Sequence, residues 1–333
     1  MMGRPSFPIL TMTLLGLVVA LFLFSLAVGQ VWINPLNGLF GASDDVARVD
    51  QIILLQIRLP RAILGLAIGG ILGLSGAVLQ GLLRNPLAEP GVMGMSASAS
   101  LGAVIAIYTG LTATFAYALP IAALFGALFG VLLLLLLAGR SADVLTLILS
   151  GVAITSLASA LTSLALNLSS NPFASLEIVF WMLGSLTDRS MVHVWLSVPL
   201  IVVGSVMLFS TARALDALSL GPDVARSLGV DMRRTRSMAI VGTAVGVGAA
   251  TAVSGTIGFV GLIVPHLLRP LVGSRPSRLL PVSALGGAAF LLAADLFIRL
   301  VMPDKDLKLG VVTAIIGAPF FLWLLRKIRR RVV

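Results

Sequence analysis

Ten apolar runs, each close to twenty residues long and almost free of charge, leave this chain few places to fold other than a lipid bilayer. They fall at about 8–28, 60–82, 92–108, 115–138, 143–167, 192–210, 235–253, 257–272, 279–301 and 310–326. A helix needs about 20 apolar residues to cross the hydrocarbon core, and only helices or closed barrels satisfy every backbone group there. A soluble domain carries about a quarter charged residues; this chain has 11% charged and 58% hydrophobic. Its 333 residues therefore read as a single all-α polytopic membrane domain. The first run follows Arg4 as a signal peptide would, but it is longer than a signal core and no small-x-small cleavage site follows. It is read as the first span.

Charge orients the bundle. The net charge is +10, which in a chain this apolar points to the positive-inside bias rather than to nucleic acid. Ten spans put both termini on one side. Sixteen of the 23 Lys and Arg lie on that side, and only Arg48, Arg58, Arg61, Arg189, Arg299, Lys305 and Lys308 lie opposite. Both termini are expected in the cytoplasm. With no cysteine in the chain, disulfides, thiol nucleophiles and Cys-bound metals are excluded.

Arg58 and Arg61 head the second span and Arg299 ends the ninth, so all three stand on the outer face against the bias. Two readings are open: arginines snorkelling at the interface, or an electropositive mouth for an acidic partner. Gly65, Gly69 and Gly73 form GxxxGxxxG, and Gly126/Gly130 and Gly242/Gly246 repeat the spacing; small residues four apart let helix backbones approach closely in lipid. Two segments break the pattern. Residues 84–94 (RNPLAEPGVMG) make a cytoplasmic turn, with Pro90 able to open the third span. Residues 259–273 (FVGLIVPHLLRPLVG) make a short, broken eighth run. At an offset of 179 residues Ser75-Gly76 meets Ser254-Gly255, Pro86 meets Pro265 and Gly94 meets Gly273, a weak repeat whose copies would have inverted topology. The longest cytoplasmic loop, 211–237, holds a short helix from Asp223 to Leu228, opened by Pro222 and ended by Gly229. It is either a surface helix or a docking element.

No HExxH, GxSxG, paired carboxylates or P-loop appears, and His193 and His266 sit at different span ends. The chain is not expected to be an enzyme. Asp295 is the one acid well inside a span; an i,i+4 pair with Arg299 would offset its burial, and a proton or ion relay is the other reading.

Taken in order, RLPRAILG, SGAVLQGLLRNPLAEPGVMG, LILSGVAI, FWMLGSL, ARSLGV, SGTIGFVGLIVPHLLRPLVG, LLPVSALGGA and GVVTAIIGAPFFLWLL resemble the FecCD-type permeases. These are the transmembrane subunits of iron–siderophore, haem and vitamin B12 ABC importers of type II. The resemblance runs from about residue 50 to 326. It implies ten helices per subunit in two inverted halves, a second permease copy, two ATPase subunits below and a periplasmic substrate-binding protein above, in a bacterial inner membrane. ATP and Mg would be bound by the partner ATPase, with no cofactor on this chain. By position in the matching segments, Arg58, Arg61 and Arg299 would be docking sockets for acidic residues of the binding protein. Gly221, Ala225, Leu228 and Gly229 would belong to the helix seated on the ATPase, and Asn85, Pro86 and Leu87 to the cytoplasmic gate. The expected activity is ATP-driven import of an iron chelate, ferric siderophore or haem, by alternating access. Cobalamin import is the alternative. An ion-coupled secondary transporter is a more distant one, and an exporter or a non-transporting sensor is a further rival. One departure stands out: where the family has Glu-Leu-Pro-Val-Gly or a close variant before the last span, this chain has Asp306-Leu307-Lys308-Leu309-Gly310, which alters the outer mouth.

Overall fold

The computed structural model describes residues 6–29, 33, 45–115, 117–139, 144–303, 305 and 307–329. Arg4, Arg140, Asp306, Arg330 and Arg331 lie outside them. Among the described residues the chain is helical with no strands. The principal helices are α1 Phe7–Ala27, α2 Leu59–Leu82, α3 Met95–Tyr108, α4 Ala118–Ala138, α5 Val144–Leu168, α6 Pro172–Met182 and α7 Met191–Ser210. They continue with α8 Ala212–Leu218, α9 Pro222–Ser227, α10 Met232–Ser254, α11 Val260–Leu268, α12 Pro276–Val301 and α13 Leu309–Arg329.

Local chemistry sets the ends. Asn171 caps α6 by accepting from the Phe173 N–H at 3.0 Å, and Asp231 caps α10 by accepting from Arg234 N–H at 3.0 Å. Gly139 and Gly255, both at positive φ, end α4 and α10. Among the described residues eight helices are long and apolar enough to cross a membrane. The third and eighth runs hold shorter helices. α3 has 14 residues, about 21 Å of rise against about 30 Å of hydrocarbon. Pro90 does not open it: Pro90–Met93 forms a 3-10 turn, Gly94 turns left-handed, and α3 starts at Met95. α6 is a further short apolar helix that the ten runs did not include.

The glycine stripe of α2 lies against α12. A Cβ on Gly73 would overlap the Ser283 carbonyl, one on Gly69 would overlap the Gly287 carbonyl, and one on Gly65 would press to 3.1 Å of Leu292. Gly287 returns the contact onto Gly69. Gly126 meets Ser98 and Gly102 of α3, and Gly242 and Gly246 meet Gly204 of α7. Backbones thus touch where side chains would otherwise stand between them, which is how helices associate in lipid without a hydrophobic driving force.

The break before α11 is covered by protein. Gln80, only 1% exposed, donates from Nε2 to the carbonyls of Gly261 at 3.1 Å and Leu262 at 3.4 Å. Its Oε1 accepts from Arg269 Nη2 at 2.7 Å. Non-helical backbone at membrane depth is tolerated where such partners exist.

Candidate functional site

The three outer-face arginines converge on a single cluster. Arg58 ends a π-helical stretch, Ile53–Arg58, that runs into α2. Its side chain turns back to α1, where Nη1 donates to the carbonyls of Leu26 at 3.0 Å and Ala27 at 2.5 Å. Arg299 reaches the same helix end, donating from Nη1 to the carbonyls of Ser25 and Val28, each at 3.0 Å, and from Nη2 to Ser25 Oγ. The last carbonyls of a helix have no partner within it and carry its negative dipole end, so two guanidiniums are well placed there. Gly29 makes room, since a Cβ on it would lie 2.8 Å from an Arg58 nitrogen.

Arg61 and Arg299 share one carboxylate. Arg61 donates to Asp295 from Nε at 2.9 Å and Nη2 at 2.7 Å, and Arg299 Nη2 donates to the other oxygen, Oδ2, at 2.5 Å. Asp295 is 1% exposed. The pairing with Arg299 agrees with their four-residue spacing; the larger partner, Arg61, is 234 residues away and spacing did not reveal it. The three arginines outnumber the two aspartates that act on them, Asp295 and Asp50, and leave the cluster cationic.

These arginines line a cavity of about 510 Å³, together with Thr187, Asp188, Met302 and Lys305. Arg61 and Arg299 keep some exposure, with side chains 16% and 9% accessible. Arg58 is 4% exposed and lines the same cavity. Nearby, burial pushes the Arg189 guanidinium below its ordinary value, Asp188 opposing the shift. Lys308, at the departure from the family pattern, lies over the Phe180 ring at 5.2 Å.

At the other end of the molecule, α9 covers Pro222–Ser227, with Gly221 and Gly229 at positive φ on either side. Ala225 is fully buried, while Leu220, Val224 and Leu228 are exposed at four-residue spacing. That spacing puts Val224 and Leu228 on one face of α9, with Leu220 in the turn before it. The Asp223–Arg226 pair beside them, at 3.1 Å, is solvent-exposed.

The Asn85–Leu87 turn is held by Asn85, whose Oδ1 accepts from Leu87 N–H at 2.9 Å and whose carbonyl accepts from Ala88 N–H at 3.2 Å. Arg84 sits left-handed at its start. The following Glu89 carboxyl is pushed above the usual glutamate value by burial, with a backbone hydrogen bond at Phe259 opposing. Pro90 packs on α11, where a Cβ on Gly261 would stand 3.0 Å from its Cδ. Among the described residues no three His, Cys, Asp or Glu side chains group as metal ligands.

The chain is similar to known proteins along most of its length. The family model described as the FecCD transport family matches residues 17–327. The vitamin B12 import system permease protein BtuC of Salmonella typhimurium is 39% identical over 315 residues, 94% of each chain. The uncharacterised ABC transporter permease protein YvrB of Bacillus subtilis is 39% identical over 295 residues, 87% of this chain and 82% of that one. A solved structure described as an inward-facing conformation of a metal-chelate type ABC transporter superposes with TM-score 0.86 at 33% identity, covering 96% of this chain and 99% of the other. PsaBC from Streptococcus pneumoniae shares the fold at TM-score 0.53 and 15% identity, covering 83% and 94%.

Proposed function

Since the chain belongs to the FecCD transport family and is a multi-pass permease subunit of an ABC importer, we propose that it carries a metal chelate inward across a bacterial inner membrane. In this reading both termini are cytoplasmic and two copies of the chain surround the path. A substrate-binding protein delivers the cargo from outside. ATP and Mg²⁺ are bound by two ATPase subunits, whose closure drives the permease between outward- and inward-open states.

One observation carries the reading. The molecule presents a cationic, arginine-lined cavity at one end of α2 and α12 and a group of exposed apolar side chains on and beside α9 at the other end. Arginine forks suit carboxylates on an oriented but reversible partner. Docking residues are then Arg58, Arg61 and Arg299 around the mouth, Arg58 and Arg299 also holding the end of α1. The exposed side chains of Val224 and Leu228, held between Gly221 and Gly229 with Ala225 as their buried foot, and Leu220 just before them, support a seat on the ATPase. Asn85, Pro86 and Leu87 are assigned to the cytoplasmic gate, beside the broken helix α11.

For the cargo, a ferric siderophore or haem is the first reading. The likeness to vitamin B12 permeases over 94% of the chain favours cobalamin as the second. Growth of a deletion strain on a ferric siderophore panel, on haem, or on cobalamin in a cobalamin-requiring background separates them. A defect confined to one source and restored by the intact chain identifies the cargo. Normal growth on every source would remove all three.

A further inference from the structure

Helix α12 begins without a cap of its own. Arg275 stands at its N-cap and its side chain caps no N–H of the first turn, which Pro276 opens. The missing acceptor comes from another helix: Asp216 of α8 accepts from Ser277 N–H at 2.8 Å through Oδ1 and from Arg275 Nε at 3.2 Å through Oδ2. An aspartate accepting a first-turn N–H is an N-cap in function, and its charge complements the positive end of the helix.

The same short helix touches the inner end of α2, where a Cβ on Gly81 would meet Leu215 at 3.5 Å. Leu215 and Leu218 are buried. α8 therefore stands on both helices that carry the arginine cluster. α2 and α12 are locked together along their length by the backbone contacts of Gly69 and Gly73 with Gly287 and Ser283, and at their outer ends by Arg61 and Asp295. α8 continues into α9 through a turn closed by Leu220 N–H to the Ala217 carbonyl and Gly221 N–H to the Leu218 carbonyl, each at 3.0 Å.

We propose that Asp216 is a positioning residue that fastens the ATPase-facing segment to the α2–α12 pair, so that displacement of α9 is delivered to the arginine cluster at the far end of α12. The proposal rests on the importer reading. α12 has 26 residues and Pro281 inside its first turns, and spans about 39 Å. In this proposal a movement of its capped end reaches Asp295 and Arg299 together with α2, against which the glycine contacts hold α12.

The chain has no cysteine, so a single Met302→Cys at the rim of the outer cavity can be labelled selectively. The experiment measures its maleimide labelling rate in the permease assembled with its ATPase in nanodiscs, without nucleotide and with ATP plus vanadate. The native background should show a rate change of about fivefold, at the lower end of allosteric couplings. Asp216→Ala should reduce it below about twofold on the same scale. Asp216→Asn, which keeps the acceptor for Ser277 N–H, should retain most of it. A full response in Asp216→Ala, or an equal loss in Asp216→Asn, overturns the role assigned to Asp216 and leaves the importer reading standing. No response in the native background removes the importer reading and this inference with it.

Discussion

Arg61 grips Asp295 with two nitrogens, Nε at 2.9 Å and Nη2 at 2.7 Å from the same oxygen, and so joins α2 to α12 at their outer ends. The carboxylate is buried and also serves Arg299. Removing one partner of such a group strands the other's charge, at a cost of about 3–5 kcal/mol. Asp295→Ala should therefore lower the thermal midpoint of the purified protein markedly. The double variant with Arg61→Ala should lose less than the two single losses together, because the second change no longer strands a charge. Additive losses in a thermal melt would show that the pair is not coupled.

The contact between α2 and α12 predicts a contrast between neighbouring glycines. Gly73→Val should fail to accumulate in the membrane, since its Cβ would overlap the Ser283 carbonyl. Overpacking costs about 1–3 kcal/mol where side chains can move and more against backbone. A Cβ on Gly70 meets only the Ala284 carbonyl at 3.6 Å, so Gly70→Ala should accumulate near the native level. Immunoblots of membrane fractions compare the two.

These contacts show how far sequence reasoning reaches in this chain. Length and apolarity locate a helix at each of the ten runs because the bilayer allows little else. Glycine spacing marks the faces that approach, but not their partners: nothing in GxxxGxxxG points to Ser283 and Gly287. Local pairings such as Asp295 with Arg299 are visible at i,i+4. Arg61 with Asp295, Gln80 with Gly261 and Asp216 with Ser277 span 61 to 234 residues and appear only when the bundle closes. The burial of Arg58 was equally hidden, because its partners are the backbone carbonyls of α1 rather than a complementary side chain.

The exposed apolar side chains on and beside α9 predict a loss confined to assembly. Leu228 is 63% exposed, so Leu228→Glu costs the permease itself little. At an interface it would bury a charge without a partner. Co-purification of the ATPase should fall by about tenfold, a hot-spot effect of modest size. An undiminished ATPase yield would remove Leu228 from the interface.

Glu89 carries a pH signature. Its carboxyl is raised above the ordinary value of 4.5 by burial, so the folded protein holds this proton more tightly than the unfolded chain. The corresponding stability is full at pH below the ordinary value and is lost as pH rises from there through the raised one. Glu89→Gln removes the cost of ionisation. It should raise the thermal midpoint relative to the native protein at neutral pH, with the difference shrinking towards pH 4.5. A difference that stays constant with pH would show that this carboxyl titrates normally.

The most direct test of the account is uptake by proteoliposomes holding this chain, with its ATPase and binding protein added or withheld and labelled cobalamin or ferric chelate supplied. Uptake is expected only when ATP, ATPase and binding protein are all present, and vanadate should abolish it. Uptake by the chain alone, driven by an ion gradient and indifferent to vanadate, would contradict this.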